Sequence, residues 1–79
     1  MYAVYILQSE KDQSFYIGYS SNVEERLRKH NSSRQGYTSR KKPWKVVYQE
    51  AFHTKGEAIR REQFLKKQKS VELIKRLIA

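Results

Sequence analysis

"YAVYILQSEKDQSFYIGYS", residues 2–20, decides how the rest of the chain is read. From Tyr2 to Leu7 the run is short and almost wholly apolar or aromatic, which predicts a strand covered at least partly on both faces. The polar "QSEKDQS" separates it from Phe15–Tyr19, again aromatic and β-branched, so the two runs read as an antiparallel hairpin with a mid-length loop. Centring that loop between Glu10 and Lys11 sets Tyr5 directly across from Tyr16 on one face. A slip of one residue would part them, so the register decides whether two phenols can address one ligand.

Beyond the hairpin, "NVEERLRKHN" at 22–31 begins with Asn22 and has Glu25 three residues on, the N-cap pattern of a helix. Val23, Leu27 and His30 share a face, and Arg26 and His30 are i, i+4 neighbours able to reach one ligand. Ser32, Ser33 and Gly36 mark a loop. Trp44 to Phe52 returns to alternation, with Trp44, Val46, Tyr48 and Phe52 on one side of a third strand that Pro43 suits at its start. Thr54 with Glu57 opens a second helix, whose stripe is Ala58, Ile59 and Leu65 and which runs to about Lys67. Ser70, Val71, Ile74, Leu77 and Ile78 make a short terminal helix. The expected architecture is α+β, a small three-stranded antiparallel sheet flanked by helices in the order β-β-α-β-α-α, with residues 1–79 as one domain.

A chain of 79 residues cannot enclose a large substrate cavity, so any site should be a shallow surface. Cysteine is absent, which excludes disulfides, thiolate metal sites and a cysteine nucleophile. No apolar run is long enough for a membrane span and no signal core is visible, so no membrane role is expected and the chain reads as cytoplasmic. The formal charge of +9 favours a polyanionic partner. Between Arg26 and Lys45 there are eight basic side chains and no acid, including "SRKKPWK" at 39–45. Arg34, Arg40, Lys41, Lys42 and Lys45 are therefore the candidate nucleic-acid contacts, with Trp44 either among them or in the core.

Glycine-rich phosphate loops and a Ser-His-Asp order are missing, and Gly18 alone makes no phosphate cradle. What remains is Tyr5, Tyr16, Arg26, His30 and Glu62. Each has a plainer reading: strand tyrosines commonly pack, Arg26 alone is a surface cation, and a histidine near a helix C-terminus favours the dipole. Glu62 is the exception, because it falls inside the apolar stripe of its helix, where a carboxylate must be paired, hydrated or bound to a cation; Arg60, Arg61 and Lys66 are candidate partners. Together the five residues suit phosphodiester cleavage, which needs charge stabilisation at phosphorus, an activated water and a grip on the backbone.

At these residues the sequence resembles the GIY-YIG nuclease superfamily, and within it the small stand-alone proteins. "AVY" at 3–5 stands at the first motif and "YIG" at 16–18 matches the second, with ten residues between Tyr5 and Tyr16. "NVEERLRKHN" and "GEAIRREQFLKK" resemble the helices carrying that family's Arg, His and Glu. The resemblance implies a phenol at Tyr5 near the attacking water, acting as general base with help from His30. It likewise implies a positioning role for Tyr16, phosphate stabilisation by Arg26, and one divalent metal, Mg²⁺ or Mn²⁺, on Glu62. Ala3 stands where the first motif has its glycine. The implied activity is endonucleolytic hydrolysis of DNA, favoured over RNA, by a monomer. A separate target-choosing domain is missing, which leaves weak structural selectivity, a protein partner that supplies target choice, or loss of activity as alternatives. Two other classes stay open from the residues themselves: a non-catalytic nucleic-acid-binding module, and a small interaction protein drawn to RNA or an acidic partner.

Overall fold

The computed structural model describes residues 1–79, apart from the side chain of Tyr37. Three antiparallel strands, β1 (Tyr2–Ser9), β2 (Phe15–Ser20) and β3 (Trp44–Phe52), form one sheet in the order β2-β1-β3. The helices are α1 (Val23–Ser32), α3 (Lys55–Gln68) and α4 (Val71–Ile78), with a single turn, α2 (Tyr37–Arg40), inside the segment read as loop. No helix among the described residues is long and apolar enough to cross a membrane.

β1 is the central strand, and its Val4, Tyr5, Ile6 and Leu7 are all buried, because helices cover both faces of the sheet. On one face Tyr5, Leu7 and Trp44 pack with Tyr16 and Val46 against Val23 and Leu27 of α1. On the other, Val4 packs with Ile17, Tyr19 and Phe52 against Ala58 and Leu65 of α3 and Leu73 and Leu77 of α4. The two predicted caps form: Asn22 accepts from the Glu25 amide, and Thr54 and Glu57 complete a reciprocal capping box. Ser70 caps α4 from outside, accepting from the Leu73 amide.

Two registers differ from the expectation. Tyr5 lies across from Gly18, and Tyr16 across from Leu7. The reason is Ser9, which extends β1 and is fully buried: its hydroxyl accepts from the amides of Lys11 and Asp12 at 3.1 and 3.2 Å and donates to the Lys41 carbonyl at 2.5 Å. The loop's centre moves by one residue, so every partner moves by two. A two-residue shift keeps side chains on their face, and the phenols remain neighbours on a diagonal. In β3 a bulge falls where Ile6 pairs with Tyr48 while Leu7 pairs with Val46. The extra residue, Val47, reverses the alternation, so Trp44 and Val46 face α1 whereas Tyr48, Glu50 and Phe52 face α3 and α4.

Gly18 is where the corrected register has its consequence. A Cβ there would sit 2.7 Å from the Tyr5 hydroxyl, 2.8 Å from Cζ and 3.2 Å from Tyr16 Cε1, so the Tyr5 ring occupies the space that any other residue would fill. Gly18→Ala is expected to displace a buried ring and to lower stability by about 1–3 kcal/mol, read as a shift in the urea midpoint. An unchanged midpoint would show that the ring moves aside freely.

Candidate active site

Tyr5 projects from the central strand toward α1, and its hydroxyl lies 3.4 Å from His30 Nε2. The His30 ring meets Tyr16 in a T-shaped contact with centroids 4.6 Å apart, and Tyr16 in turn meets the Trp44 ring edge-on at 6.2 Å. Tyr5, Tyr16 and His30 thus form one cluster contributed by β1, β2 and α1. Arg26, one turn before His30, stands exposed at its margin, and its charge is felt by both Tyr5 and His30.

Glu62 is on α3, on the inward side with Ala58 and Leu65; its side chain is 13% exposed. Its ion partner is Lys66, one turn on, at 3.6 Å. Arg61, a candidate partner from the sequence, is occupied elsewhere: its Nε and a terminal nitrogen donate to the two carboxylate oxygens of Glu50 at 2.9 and 3.0 Å, and Tyr48 also donates to Glu50. Of Glu50 and Glu62, Glu50 is consumed by structure. Glu62 keeps coordinating capacity. No group of three or more His, Asp or Glu side chains gathers to hold a metal among the described residues. A single inward carboxylate with one long ion pair suits Mg²⁺ or Mn²⁺, which hold one or two carboxylates and fill the remaining positions with water and substrate phosphate. The residues fit such an ion.

Electrostatics separates the roles. Burial pushes the Tyr5 phenol up to about 12; the neighbouring Tyr16 and Glu62 add to this, and Arg26 opposes it. Glu62 acts on Tyr5 only through its charge, since α3 packs on the sheet face opposite to the one Tyr5 shares with α1. Burial, and then Arg26, lowers His30 below its ordinary 6.5, so the imidazole is neutral at neutral pH.

The basic tract is less free than its composition suggests. Lys41 is bound to Asp12 at 2.6 Å, and Lys42 donates to the Ser33 carbonyl at 3.0 Å. Arg34, Arg40 and Lys45 are exposed. Trp44 is 2% exposed and its indole N–H donates to the Thr38 carbonyl at 2.8 Å, which removes it as a stacking surface for bases.

Asn31 has a function that the sequence did not disclose. Its amide takes both backbone groups of Trp44, donating to the carbonyl at 3.1 Å and accepting from the N–H at 2.6 Å. These bonds pair the outer edge of β3 with the end of α1 and so fix His30, the adjacent residue, over the tyrosines. The Asn31 signal was present only as a polar residue beside His30.

The domain is a small α+β fold in which two strand tyrosines meet a helical histidine. The profile of the GIY-YIG catalytic domain matches residues 1–75, and the chain belongs to that family, a nuclease family acting on nucleic acids with divalent metals. It is 43% identical over 75 residues to the UPF0213 protein of Staphylococcus saprophyticus, covering 90% of each chain. It is 47% identical over 64 residues to that of Staphylococcus haemolyticus, covering 80% of this chain and 77% of the relative. The solution NMR structure of the UPF0213 protein from Bacillus halodurans superposes with a TM-score of 0.59 at 31% identity, over 99% of this chain and 83% of that one.

Asn31→Ala removes two bonds to a part-buried backbone and leaves its N–H and C=O unpaired. A loss of about 1–3 kcal/mol in chemical denaturation is expected, with the His30 ring signals broadened or shifted in NMR spectra. Sharp, unmoved His30 signals would show that the tether does not position the ring.

Proposed function

We propose that the protein is a metal-dependent endonuclease that hydrolyses phosphodiester bonds in DNA. The observation that carries this reading is the convergence of Tyr5, Tyr16 and His30 with Arg26 at their margin and the Glu62 carboxylate within electrostatic reach. A non-catalytic binding module gives no reason for a neutral histidine on a buried phenol, and with Trp44 in the core its stacking surface is lost.

The proton path follows from the two pKa directions. The raised Tyr5 phenol and the lowered His30 imidazole both oppose full transfer of the phenolic proton between them. A standing tyrosinate is therefore the wrong picture. Tyr5 acts as a relay, its oxygen taking the proton of the attacking water as its own proton passes to His30 Nε2, so that charge develops only in the transition state. Arg26 stabilises the phosphate charge as the pentavalent arrangement forms. Tyr16 holds the His30 ring and faces the phosphate. Glu62 would hold the divalent ion, which when bound supplies Lewis-acid polarisation of the phosphate. Arg34, Arg40 and Lys45 hold the flanking backbone.

Glu62→Ala is expected to abolish cleavage of branched or duplex DNA in Mg²⁺ or Mn²⁺ while leaving salt-sensitive binding intact. Equal cutting by both proteins would overturn the metal assignment. Arg26→Ala should lower kcat by about 10²-fold or more with little change in binding. Removing Arg34, Arg40 and Lys45 should weaken binding to all sequences and flatten its salt dependence by about one unit per lost contact.

The pH dependence has a definite sign. The neutral form of His30 is the acceptor, so activity is held down to pH 6.5 and falls below it, and His30→Ala removes that acid limb along with most of the rate. Stability follows the same direction. The unfolded chain binds the His30 proton more readily than the folded one, so this contribution is present above pH 6.5 and is lost as pH falls further. An acid limb centred above 7 would exclude His30 in this role.

A further inference from the structure

A groove of ≈ 830 Å³ opens between the start of β2 and the corner where α3 passes into α4. Phe15 and Ile17 meet Leu65, Val71 and Ile74 to form an apolar floor, and Val71 stands 53% exposed. Lys66, Lys69 and Lys75 rim it, and no acidic residue lines it. None of these cations belongs to the basic tract of residues 26–45. Lys69 moreover holds a left-handed φ of 47° at the end of α3, a position that glycine fills most easily.

The occupant must combine a flat apolar body with attached anionic charge. An unpaired nucleotide meets both conditions, with its base against Phe15 and its phosphates among the lysines. A base within a duplex does not, because its faces are stacked and its edges paired. The groove borders one candidate site residue: Lys66 rims it while paired to Glu62, and Tyr16 lines it from β2 although its ring packs on the α1 face. That adjacency to Glu62 favours the substrate strand over an acidic protein segment.

We infer that this groove receives unpaired nucleotides next to the phosphodiester held at the site, and that the enzyme prefers strands with an unpaired segment to continuous duplex. The preference in cleavage rests on the nuclease reading above; the binding does not.

The test uses isotope-labelled protein in chelator, without metal, titrated with a short oligothymidylate, a blunt duplex and polyglutamate. The amide signals of Phe15, Lys69 and Val71 should move with the oligothymidylate and stay with the other two. Lys69→Glu combined with Lys75→Glu, both exposed positions, should weaken oligothymidylate binding about tenfold or more in a protein whose other signals are unchanged. Shifts confined to residues 34–45 would overturn the inference, as would equal movement of the groove signals by duplex or by polyglutamate. Because no metal is present, the two readings fail separately. Groove binding in a protein that cuts no DNA in Mg²⁺ or Mn²⁺ would remove only the nuclease, and cutting without groove shifts would remove only the groove.

Discussion

The space above Gly18 is the constraint from which the candidate site follows. Tyr5 points from the central strand onto its neighbour, and only a residue without a side chain leaves room for the ring to lie there with its hydroxyl directed at His30. Burial gives the phenol two properties at once. The ring fills the core beneath α1, and the same burial raises its pKa. A side chain at position 18 would disturb both properties together.

β3 supplies none of the five candidate catalytic side chains, yet it sets the positions of two of them. Asn31 ties the end of α1 to the backbone of Trp44, and Arg61 ties α3 to Glu50 by a two-pronged ion pair. One tether stands next to His30 and the other next to Glu62. The bulge at Val47 makes this possible, because it turns Trp44 toward α1 while Glu50 faces α3. A regular strand would have placed both on one face and left one helix without its anchor. Forked geometry matters for Arg61 as well: two parallel bonds restrict the rotation of α3 about its axis, which a single lysine contact would not.

Much of this was legible because the local signals agree with the tertiary structure. The hairpin, the two capping patterns and the inward placement of Glu62 all depend on spacing within a few residues, and each appears where the pattern puts it. Direct opposition of Tyr5 and Tyr16 failed for a specific reason. A serine read as loop is buried and organises the turn by its hydroxyl, and no periodicity marks a polar residue that ends a strand from inside the core. The bulge escaped because Val46 and Val47 suit either face. Trp44 among lysines looked more like part of a nucleic-acid surface than a core residue, and its burial, with the indole N–H on the Thr38 carbonyl, reverses that reading. The partners of Arg61 and Asn31 lie across the fold from their own segments, beyond what spacing within an element can encode.

Charge is distributed in the same divided manner. Within the conspicuous basic tract, Lys41 and Lys42 bind the hairpin turn and the loop after α1, so part of the positive charge serves to hold residues 10–14 and 40–43 together. The hairpin turn is anchored there a second time by the Glu10 amide on the Pro43 carbonyl. Lysines that stabilise a loop through intramolecular partners contribute less to a polyanion than their number suggests, since each must exchange an existing bond for a phosphate. Among the described residues, the exposed cations at Arg34, Arg40 and Lys45, and Lys69 and Lys75 at the α3–α4 corner, make no such exchange. A net charge of +9 thus resolves into a structural fraction at the hairpin and two exposed surfaces, one along residues 34–45 and one at the α3–α4 corner, and only the exposed fraction is free to attract a polyanion.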